Sequence, residues 1–382
     1  MRKIKVMTVF GTRPEAIKMA PVVLGLQQRA DEFTAVTVVT AQHRQMLDQV
    51  LAIFKLTPDY DLNVMKPRQT LDELTGNVLA QLAPIMAQER PDIVLVHGDT
   101  TTTLAAAMSA FYHRVAIGHV EAGLRTWDKY SPYPEEMNRQ MTDDLADLYF
   151  APTSLSEANL RRENHPQAAI FVTGNTAIDA LQQTVRADYQ HAVLANFAED
   201  KRMLLVTMHR RENQGAPMRR VFAAMRRVVD AHPDVEIVYP VHLNPVVQEA
   251  AQAILGDDPR IHLIAPLDVV DFHNLAARSY FIMTDSGGVQ EEAPALGKPV
   301  LVLRDTTERP EGVQAGTLKL VGTQPEAVEQ AMTELLDDPV AYQRMATAPN
   351  PYGDGQATTR ILDALAYHFG LTKQAPKRFA AR

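Results

Sequence analysis

Short apolar runs alternate with longer amphipathic segments along most of this chain. In the first half, apolar runs at residues 4–10, 35–40, 92–96, 115–120 and 149–151 predict buried strands. Helical periodicity lies between them, at 16–28, 70–88 and 101–113. This alternation is typical of a parallel, doubly wound α/β sheet.

The same pattern starts again in the second half of the chain. Strands are predicted at 203–207, 236–241, 261–264, 280–284 and 299–303, with helices at 218–231, 268–277, 289–296 and 324–336. We therefore expect two Rossmann-like domains that face each other across a cleft, at residues 1–173 and 174–357. A final helix at 358–370 is expected to pack back onto the first domain.

Composition narrows the possible classes of protein. The 382 residues suit two or three domains. The 38 basic and 46 acidic residues give a net charge of −8, and no basic block occurs, which disfavours nucleic acid as a partner. No apolar stretch approaches a membrane span, and the N-terminal run is too short for a secretory signal. The absence of cysteine excludes disulfides and fits the cytoplasm.

A glycine turn between two predicted strands is the most informative local pattern. Ser286, Gly287 and Gly288 lie between a strand and a helix, where backbone N–H groups and a helix N-terminus favour an anion. Glu291 and Glu292 follow in the helix, as the acidic residues that bind ribose do in nucleotide folds. Arg304 and Arg309 come after the next strand and suit a diphosphate. This combination favours a nucleoside diphosphate site over an ordinary βαβ unit.

Several charged side chains follow other predicted strands, where ligands bind in open α/β sheets. Arg13 and Lys18 flank the turn after the first strand. The further candidates are Asp99, Glu121, Glu135 and His209. Each of the carboxylates can also be a helix cap or a solvated loop residue.

Motifs for cofactors and metals are missing from the sequence. Neither G-x-G-x-x-G nor a Walker A sequence occurs, which disfavours a dinucleotide redox cofactor and a P-loop. The spacing of His43, His97, His113 and His119 matches no metal-ligand template, so we expect no metal and assign these histidines structural roles.

Ten sequence blocks together closely resemble the non-hydrolysing UDP-N-acetylglucosamine 2-epimerases. They are FGTRPEAIK, TAQHRQMLDQ, VHGDTTTT, HVEAGLRT, PEEMNRQ, HRREN, YPVHLNP, TDSGGVQEEAP, RDTTERPEG and NPYGDG. The resemblance extends from Val6 to about Leu365. It implies the GT-B fold, a cytoplasmic homodimer without a redox cofactor, and interconversion of UDP-GlcNAc and UDP-ManNAc for cell-envelope polysaccharides.

The resemblance also implies roles for residues that match the family motifs. The catalytic positions are Asp99, Glu121, Glu135 and His209. The substrate-binding positions are Arg13, Lys18, Leu267, Phe272, Ser286, Gly287, Gly288, Glu292 and Arg309. A second UDP-GlcNAc site, which activates the enzyme, is implied at Gln42, Gln45, Arg68, Arg210 and His242.

The chemistry of a C2 epimerisation agrees with these residue types. The hydrogen at C2 of a UDP-sugar has no neighbouring carbonyl, so simple deprotonation is too costly. Elimination of UDP to a C1=C2 alkene, followed by re-addition, needs a base, an acid and groups that stabilise the departing diphosphate. The sequence leaves open which carboxylate is the base. A glycosyltransferase, a hydrolysing epimerase and a nucleotide-sugar sensor are the alternatives.

Overall fold

The computed structural model describes residues 2–42, 44–198 and 200–381, and within these ranges the side chains of Gln45 and Asn196 are not described. The chain forms two compact units. The first contains the residues up to Ala180 together with Tyr352–Ala380, and the second contains Leu181–Pro351. The predicted boundary at 173/174 lies a few residues before this division.

The first unit is a seven-stranded parallel sheet with helices on both faces. Its strands, in the spatial order β3-β2-β1-β4-β5-β6-β7, are all parallel. They are β1 (Ile4–Phe10), β2 (Phe33–Val39), β3 (Tyr60–Asp61), β4 (Ile93–His97), β5 (Ala116–Val120), β6 (Leu148–Ala151) and β7 (Ile170–Val172). The predicted end of the first domain, at residue 173, therefore directly follows an edge strand of this sheet, β7.

Two apolar layers enclose this sheet. The helices are α1 (Arg13–Gln28), α2 (Arg44–Ile53), α3 (Leu71–Glu89), α4 (Thr101–Tyr112), α5 (Glu135–Leu145), α6 (Ser154–Arg162) and α7 (Thr176–Thr184), which continues into the second unit. One layer joins α1 and α2 to the C-terminal helix, α15 (Ala357–His368), and the other joins α3 and α4 to the opposite face. Capping boxes begin α1 at Thr12 and α3 at Thr70.

The second unit repeats this topology with six parallel strands in the order β10-β9-β8-β11-β12-β13. They are β8 (Arg202–Thr207), β9 (Val235–Pro240), β10 (Ile261–Ile264), β11 (Phe281–Thr284), β12 (Val300–Val302) and β13 (Leu318–Leu320). The helices are α8 (Ala216–Ala231), α9 (Pro245–Leu255), α10 (Val269–Arg278), α11 (Gly287–Glu292), α12 (Pro310–Ala315), α13 (Pro325–Asp337) and α14 (Pro339–Ala346).

The helix after the glycine turn differs from its predicted bounds. α11 ends at Glu292, and a 3-10 turn, Ala293–Leu296, replaces the rest of the predicted helix. Pro294 lies in that turn, and a proline has no N–H for continued helical hydrogen bonding. The prediction of two parallel-sheet α/β units is confirmed. No helix in the described ranges is long and apolar enough to cross a bilayer.

Candidate functional site

Each sheet has one position where the strand order reverses. In the first unit it lies between β1 and β4, and in the second between β8 and β11. Ligands of open α/β sheets bind beyond the carboxyl ends of the strands at such positions. The loops there carry Arg13 and Asp99 in the first unit, and His209 and the glycine turn in the second. We call these regions the carboxylate edge and the glycine-turn edge.

A buried glutamate ties together the two loops of the carboxylate edge. Glu15, with an exposed fraction of 2%, accepts hydrogen bonds from the backbone of Gly11 (3.0 Å) and Thr12 (2.7 Å) through Oε2. Its Oε1 accepts from the hydroxyls of Thr100 (2.7 Å) and Thr103 (3.0 Å). Burial raises the pKa of Glu15, although these hydrogen bonds oppose the rise. Glu15 thus fixes the turn before Arg13 to the segment after Asp99.

Glu121 occupies a strained position directly after β5. Its φ is +68°, in the left-handed region that a residue other than glycine rarely adopts. Its Oε2 lies 2.5 Å from Lys18 Nζ and accepts a hydrogen bond from Asn175 Nδ2 at 2.8 Å. His97 Nε2 is 3.8 Å from the same oxygen. The structure therefore brings the predicted Lys18 and Glu121 together, although they are 103 positions apart in sequence.

Asp99 is held by residues of α5. Its carboxylate accepts a hydrogen bond from Arg139 Nη2 at 2.5 Å, and its backbone carbonyl accepts one from Asn138 at 2.9 Å. Burial raises the pKa of Asp99; the negative charge of Glu121 acts in the same direction, and Arg139 opposes it. Asp99 and Glu121 are therefore electrostatically coupled carboxylates in different surroundings.

A buried ionic network contacts the loops that follow β4 and β5. His119, fully buried on β5, has Nε2 2.7 Å from the carbonyl oxygen of Gly98 and Nδ1 2.6 Å from Asp143. Asp143 also accepts hydrogen bonds from Gly123 N (3.2 Å) and from Arg125 (2.7 Å). The network fixes the residue before Asp99 and a residue just after Glu121. Sequence reasoning treated His119 only as structural and did not identify this connection.

Glu135 is the first residue of α5, and its Oε2 is buried without a hydrogen-bond partner among the described residues. Its neighbour Glu136 is fully buried and accepts from the backbone of Thr126 and Trp127, both at 3.0 Å. Glu136 thereby holds the loop that leads into α5. Of the two adjacent carboxylates, Glu136 holds the loop and Glu135 keeps a buried oxygen that can accept a hydrogen bond from a ligand.

At the glycine-turn edge, Asp285 links the two loops. This fully buried carboxylate accepts hydrogen bonds from the backbone of His209 (3.0 Å) and Arg210 (2.9 Å) and from Asn213 Nδ2 (3.0 Å). Its Oδ1 is also 3.3 Å from Nδ1 of the His209 ring, which stacks on His242. Asp285 directly precedes Ser286, so one residue positions both His209 and the glycine turn.

Arg309 lies directly over Gly287. A Cβ atom at position 287 would be 2.6 Å from Nη1 and 2.8 Å from Cζ of Arg309, so a larger residue displaces the guanidinium. Arg309 Nε donates to buried Glu291 at 2.8 Å. Glu291 therefore orients Arg309, and of the two predicted acidic residues only Glu292 keeps the proposed ribose role.

The second predicted arginine is paired within the protein. Arg304 donates to Glu308 at 2.7 Å. Burial opposes ionisation of Glu308, but the hydrogen bond from Arg304 and the charge of Arg309 lower the pKa of Glu308 to about 2.

Glu292 ends α11 beside a buried histidine. Its Oε2 is 3.3 Å from His273 Nε2, and His273 Nδ1 is 2.6 Å from the Thr184 hydroxyl. This series of contacts fixes the orientation of the carboxylate, and sequence reasoning missed His273.

Leu267 and Phe272 are partly buried against the apolar layer of this face of the sheet. Ser286 caps α11 without a side-chain capping bond.

The residues predicted for the regulatory site have separate local environments. Gln42 accepts a hydrogen bond from Thr102 at 3.1 Å, Arg68 is exposed, and Arg210 Nη2 is 3.6 Å from Glu308. Gln45 lies in α2, but its side chain is outside what the structure describes, as is His43. In the described ranges, no group of three or more histidine or acidic residues is arranged to hold a metal ion.

Comparisons with known proteins agree on one family. The family model described as UDP-N-acetylglucosamine 2-epimerase matches residues 26–366. The chain is 62% identical to the UDP-N-acetylglucosamine 2-epimerase of Bacillus subtilis, covering 100% of both chains. A crystal structure of a relative from Listeria monocytogenes is 56% identical, covers 99% of this chain and 100% of that chain, and has a TM-score of 0.95.

A third similar protein was solved with a ligand. The UDP-GlcNAc 2-epimerase from Neisseria meningitidis, bound to UDP-GlcNAc, is 47% identical. The match covers 95% of this chain and 99% of that chain, with a TM-score of 0.86.

Proposed function

The chain belongs to the UDP-N-acetylglucosamine 2-epimerase family and epimerises UDP-GlcNAc at C2, and we propose that it acts by eliminating and re-adding UDP. The product is UDP-ManNAc, the epimer at that carbon. The observation that carries the mechanism is the coupled pair of carboxylates, Asp99 at the carboxylate edge and Glu121 directly after the adjacent strand β5, in different electrostatic surroundings.

The proposed reaction keeps all atoms in balance. A base removes the proton from C2 while the C1–O bond to UDP breaks, which leaves a 2-acetamidoglucal with a C1=C2 double bond. An acid then delivers a proton to the opposite face of C2, and the UDP oxygen adds again at C1. No electron acceptor is needed, because the addition of UDP reverses its elimination. The two steps differ only in the face of C2 that loses or gains the proton.

We assign Glu121 as the base and Asp99 as the acid in the direction from UDP-GlcNAc to UDP-ManNAc. A raised pKa suits a carboxyl group that must carry a proton for part of the cycle, and burial supports this for Asp99. Glu121 is bonded to Lys18 and Asn175, which keep its carboxylate in one orientation. The two roles are exchanged in the reverse direction. Glu135, with its uncommitted buried oxygen, is assigned to binding of the sugar.

The glycine-turn edge is proposed to bind UDP. Arg309 provides a planar cation beside the backbone of Gly287, which suits a diphosphate. Glu292, oriented by His273, is a suitable acceptor for ribose hydroxyls. His209, fixed by Asp285, is assigned to the departing diphosphate. Phe272 and the backbone of Leu267 are assigned to binding of the uracil ring of UDP.

One assay separates this function from its alternatives. Incubation of the enzyme with UDP-GlcNAc alone, followed by proton NMR, is expected to produce UDP-ManNAc until equilibrium is reached. Free ManNAc and UDP as the end products would indicate a hydrolysing enzyme. Binding without turnover would indicate a sensor, and turnover only with an added acceptor would indicate a glycosyltransferase.

The family resemblance supports four further proposals about the protein. It forms a homodimer, it is located in the cytoplasm, its product is used for cell-envelope polysaccharides, and UDP-GlcNAc activates it. Sedimentation velocity tests the dimer. For activation, a reaction that starts from pure UDP-ManNAc is expected to show a lag that trace UDP-GlcNAc removes; immediate hyperbolic kinetics would argue against it.

A further inference from the structure

His97 is a buried histidine whose ring has no evident structural role. It is the last residue of β4 and has an exposed fraction of 4%. Neither ring nitrogen has a hydrogen-bond partner among the described residues. Buried polar groups in proteins are almost always hydrogen-bonded, and each exception calls for an explanation. His119, on the adjacent strand, illustrates the difference because both of its ring nitrogens contact oxygen atoms.

The ring of His97 is directed at a reactive carboxylate. Its Nε2 is 3.8 Å from Glu121 Oε2, which is too long for a hydrogen bond but within reach of a small shift. Two other donors already contact that oxygen, Lys18 at 2.5 Å and Asn175 at 2.8 Å. One carboxylate oxygen therefore has three nitrogen neighbours, and the third is not engaged.

His97 is a neutral imidazole at physiological pH. Burial lowers its pKa to about 4, although the charge of Glu121 opposes this change. A neutral imidazole has one N–H donor and one acceptor nitrogen. Donation from this neutral ring stabilises a carboxylate less than an ammonium group does, and so leaves it more basic.

We propose that His97 is a positioning residue for Glu121. When Lys18 turns toward the anionic substrate, His97 Nε2 donates a hydrogen bond to Glu121 Oε2 in its place. This proposal rests on the role of Glu121 as base in the proposed function. The exchange replaces a cation by a neutral donor, so the carboxylate becomes a stronger base as the C2 proton leaves. Asn175 holds the same oxygen throughout, and His97 replaces the second contact that Lys18 gives up, so the carboxylate keeps two donors and its orientation.

Three substitutions at position 97 separate positioning from packing. His97→Leu removes both unpartnered nitrogens and keeps an apolar side chain of similar size. His97→Gln extends an amide nitrogen toward the position of Nε2, whereas His97→Asn reaches only the position of Nδ1. His113→Gln is the matched control, because His113 is an exposed residue at the end of α4 whose Nδ1 is 2.8 Å from the Ser109 carbonyl.

The experiment measures kcat and KM for UDP-GlcNAc, the pH dependence of kcat, and the unfolding temperature. For His97→Leu we expect kcat about 10- to 100-fold lower, the effect of losing one hydrogen bond to a charged group, with KM changed less than about twofold. The unfolding temperature is expected to stay equal or rise. His97→Gln is expected to recover part of kcat, His97→Asn none, and the control is expected to match the wild type.

The pH profile gives a readout that a packing role does not affect. A donor to the carboxylate lowers its pKa, so its loss in His97→Leu moves the acidic limb of kcat to higher pH. The charged or titratable groups that also act on this part of the site are Lys18 of α1, Asp99 after β4, His119 of β5 and Arg139 of α5. They are the same in every variant, so the shift reports on position 97.

Two results would overturn the proposal. One is wild-type kcat and an unmoved acidic limb in His97→Leu. The other is a lower kcat that comes with a lower unfolding temperature and no recovery in His97→Gln, which indicates a packing role. A failure of the assignment of Glu121 as the base is visible separately, because Glu121→Gln would then keep a kcat near that of the wild type.

Discussion

Replacement of Glu15 tests how the carboxylate edge is held together. In Glu15→Ala, the backbone N–H groups of Gly11 and Thr12 lose the acceptor they share. The hydroxyl of Thr103 keeps a partner, the carbonyl of His97 at 2.6 Å, and Thr100 keeps its contact with Thr103. The destabilisation is therefore expected to come mainly from two buried donors.

The expected size follows from these two donors. Each buried donor left without a partner costs about 1–3 kcal/mol, which gives an upper limit of about 6 kcal/mol. Removal of a buried carboxyl group whose ionised form is disfavoured offsets part of that loss. We expect the free energy of unfolding to fall by about 2–4 kcal/mol, and kcat to fall with it, because Arg13 and Asp99 lie next to the joined segments.

Glu15→Gln is the matched control. Its amide oxygen can accept from the two backbone donors, while its NH₂ group faces the hydroxyls of Thr100 and Thr103, which can act as acceptors. We expect a loss of less than about 1 kcal/mol. Urea denaturation followed by circular dichroism measures both variants. Equal stabilities of Glu15→Ala and wild type, or equal losses in the two variants, would refute this reasoning.

The raised pKa of Glu15 adds a prediction on pH with a definite sign. The folded state holds the proton more tightly than the unfolded state, so the free energy of unfolding decreases as pH rises from the ordinary glutamate pKa to the raised one. Glu15→Gln lacks this contribution. Its stability relative to wild type is therefore expected to improve from acidic to neutral pH, and a constant difference across that range would contradict the assignment.

The remaining predictions concern the glycine-turn edge. Glu292→Ala is expected to weaken UDP binding about 10- to 100-fold by calorimetry, since a charged hydrogen-bond partner is lost; unchanged affinity would remove Glu292 from the site. His209→Asn is expected to lower kcat more than UDP affinity, and a rate near wild type would make it structural. Gly287→Ala is expected to weaken UDP binding more than Gly288→Ala, because a Cβ at 288 meets only a Glu292 oxygen at 4.0 Å. Equal effects would refute the steric argument at Arg309.

The alternation of apolar runs was sufficient to predict the main strands, because most of them are buried on both faces of their sheet. The pattern did not predict the short strands β3, β7 and β13, which have two or three residues and no distinctive periodicity. It also overextended the helix after the glycine turn past Glu292. Strand order was not predicted, because it depends on pairing between segments far apart in sequence.

The residues that position the site were harder to predict than the residues at strand ends. Glu15 acts on Thr100 across 85 positions, and Asp285 acts on His209 across 76. Nothing local distinguishes such a carboxylate from a helix cap. His97 and His273 are likewise interpretable only when their neighbours in space are known, whereas Asp99 and Glu121 are indicated directly by the strands that precede them.

The incorporation of solvent deuterium at C2 is the most direct test of the proposed mechanism. The enzyme is incubated with UDP-GlcNAc in deuterated water, and the recovered UDP-sugars are examined by NMR and mass spectrometry. Proton removal by one carboxylate and return by another predicts deuterium at C2 of UDP-ManNAc from the first turnovers, and later of UDP-GlcNAc as well. Retention of the original hydrogen at C2 through many turnovers would contradict the two-carboxylate mechanism.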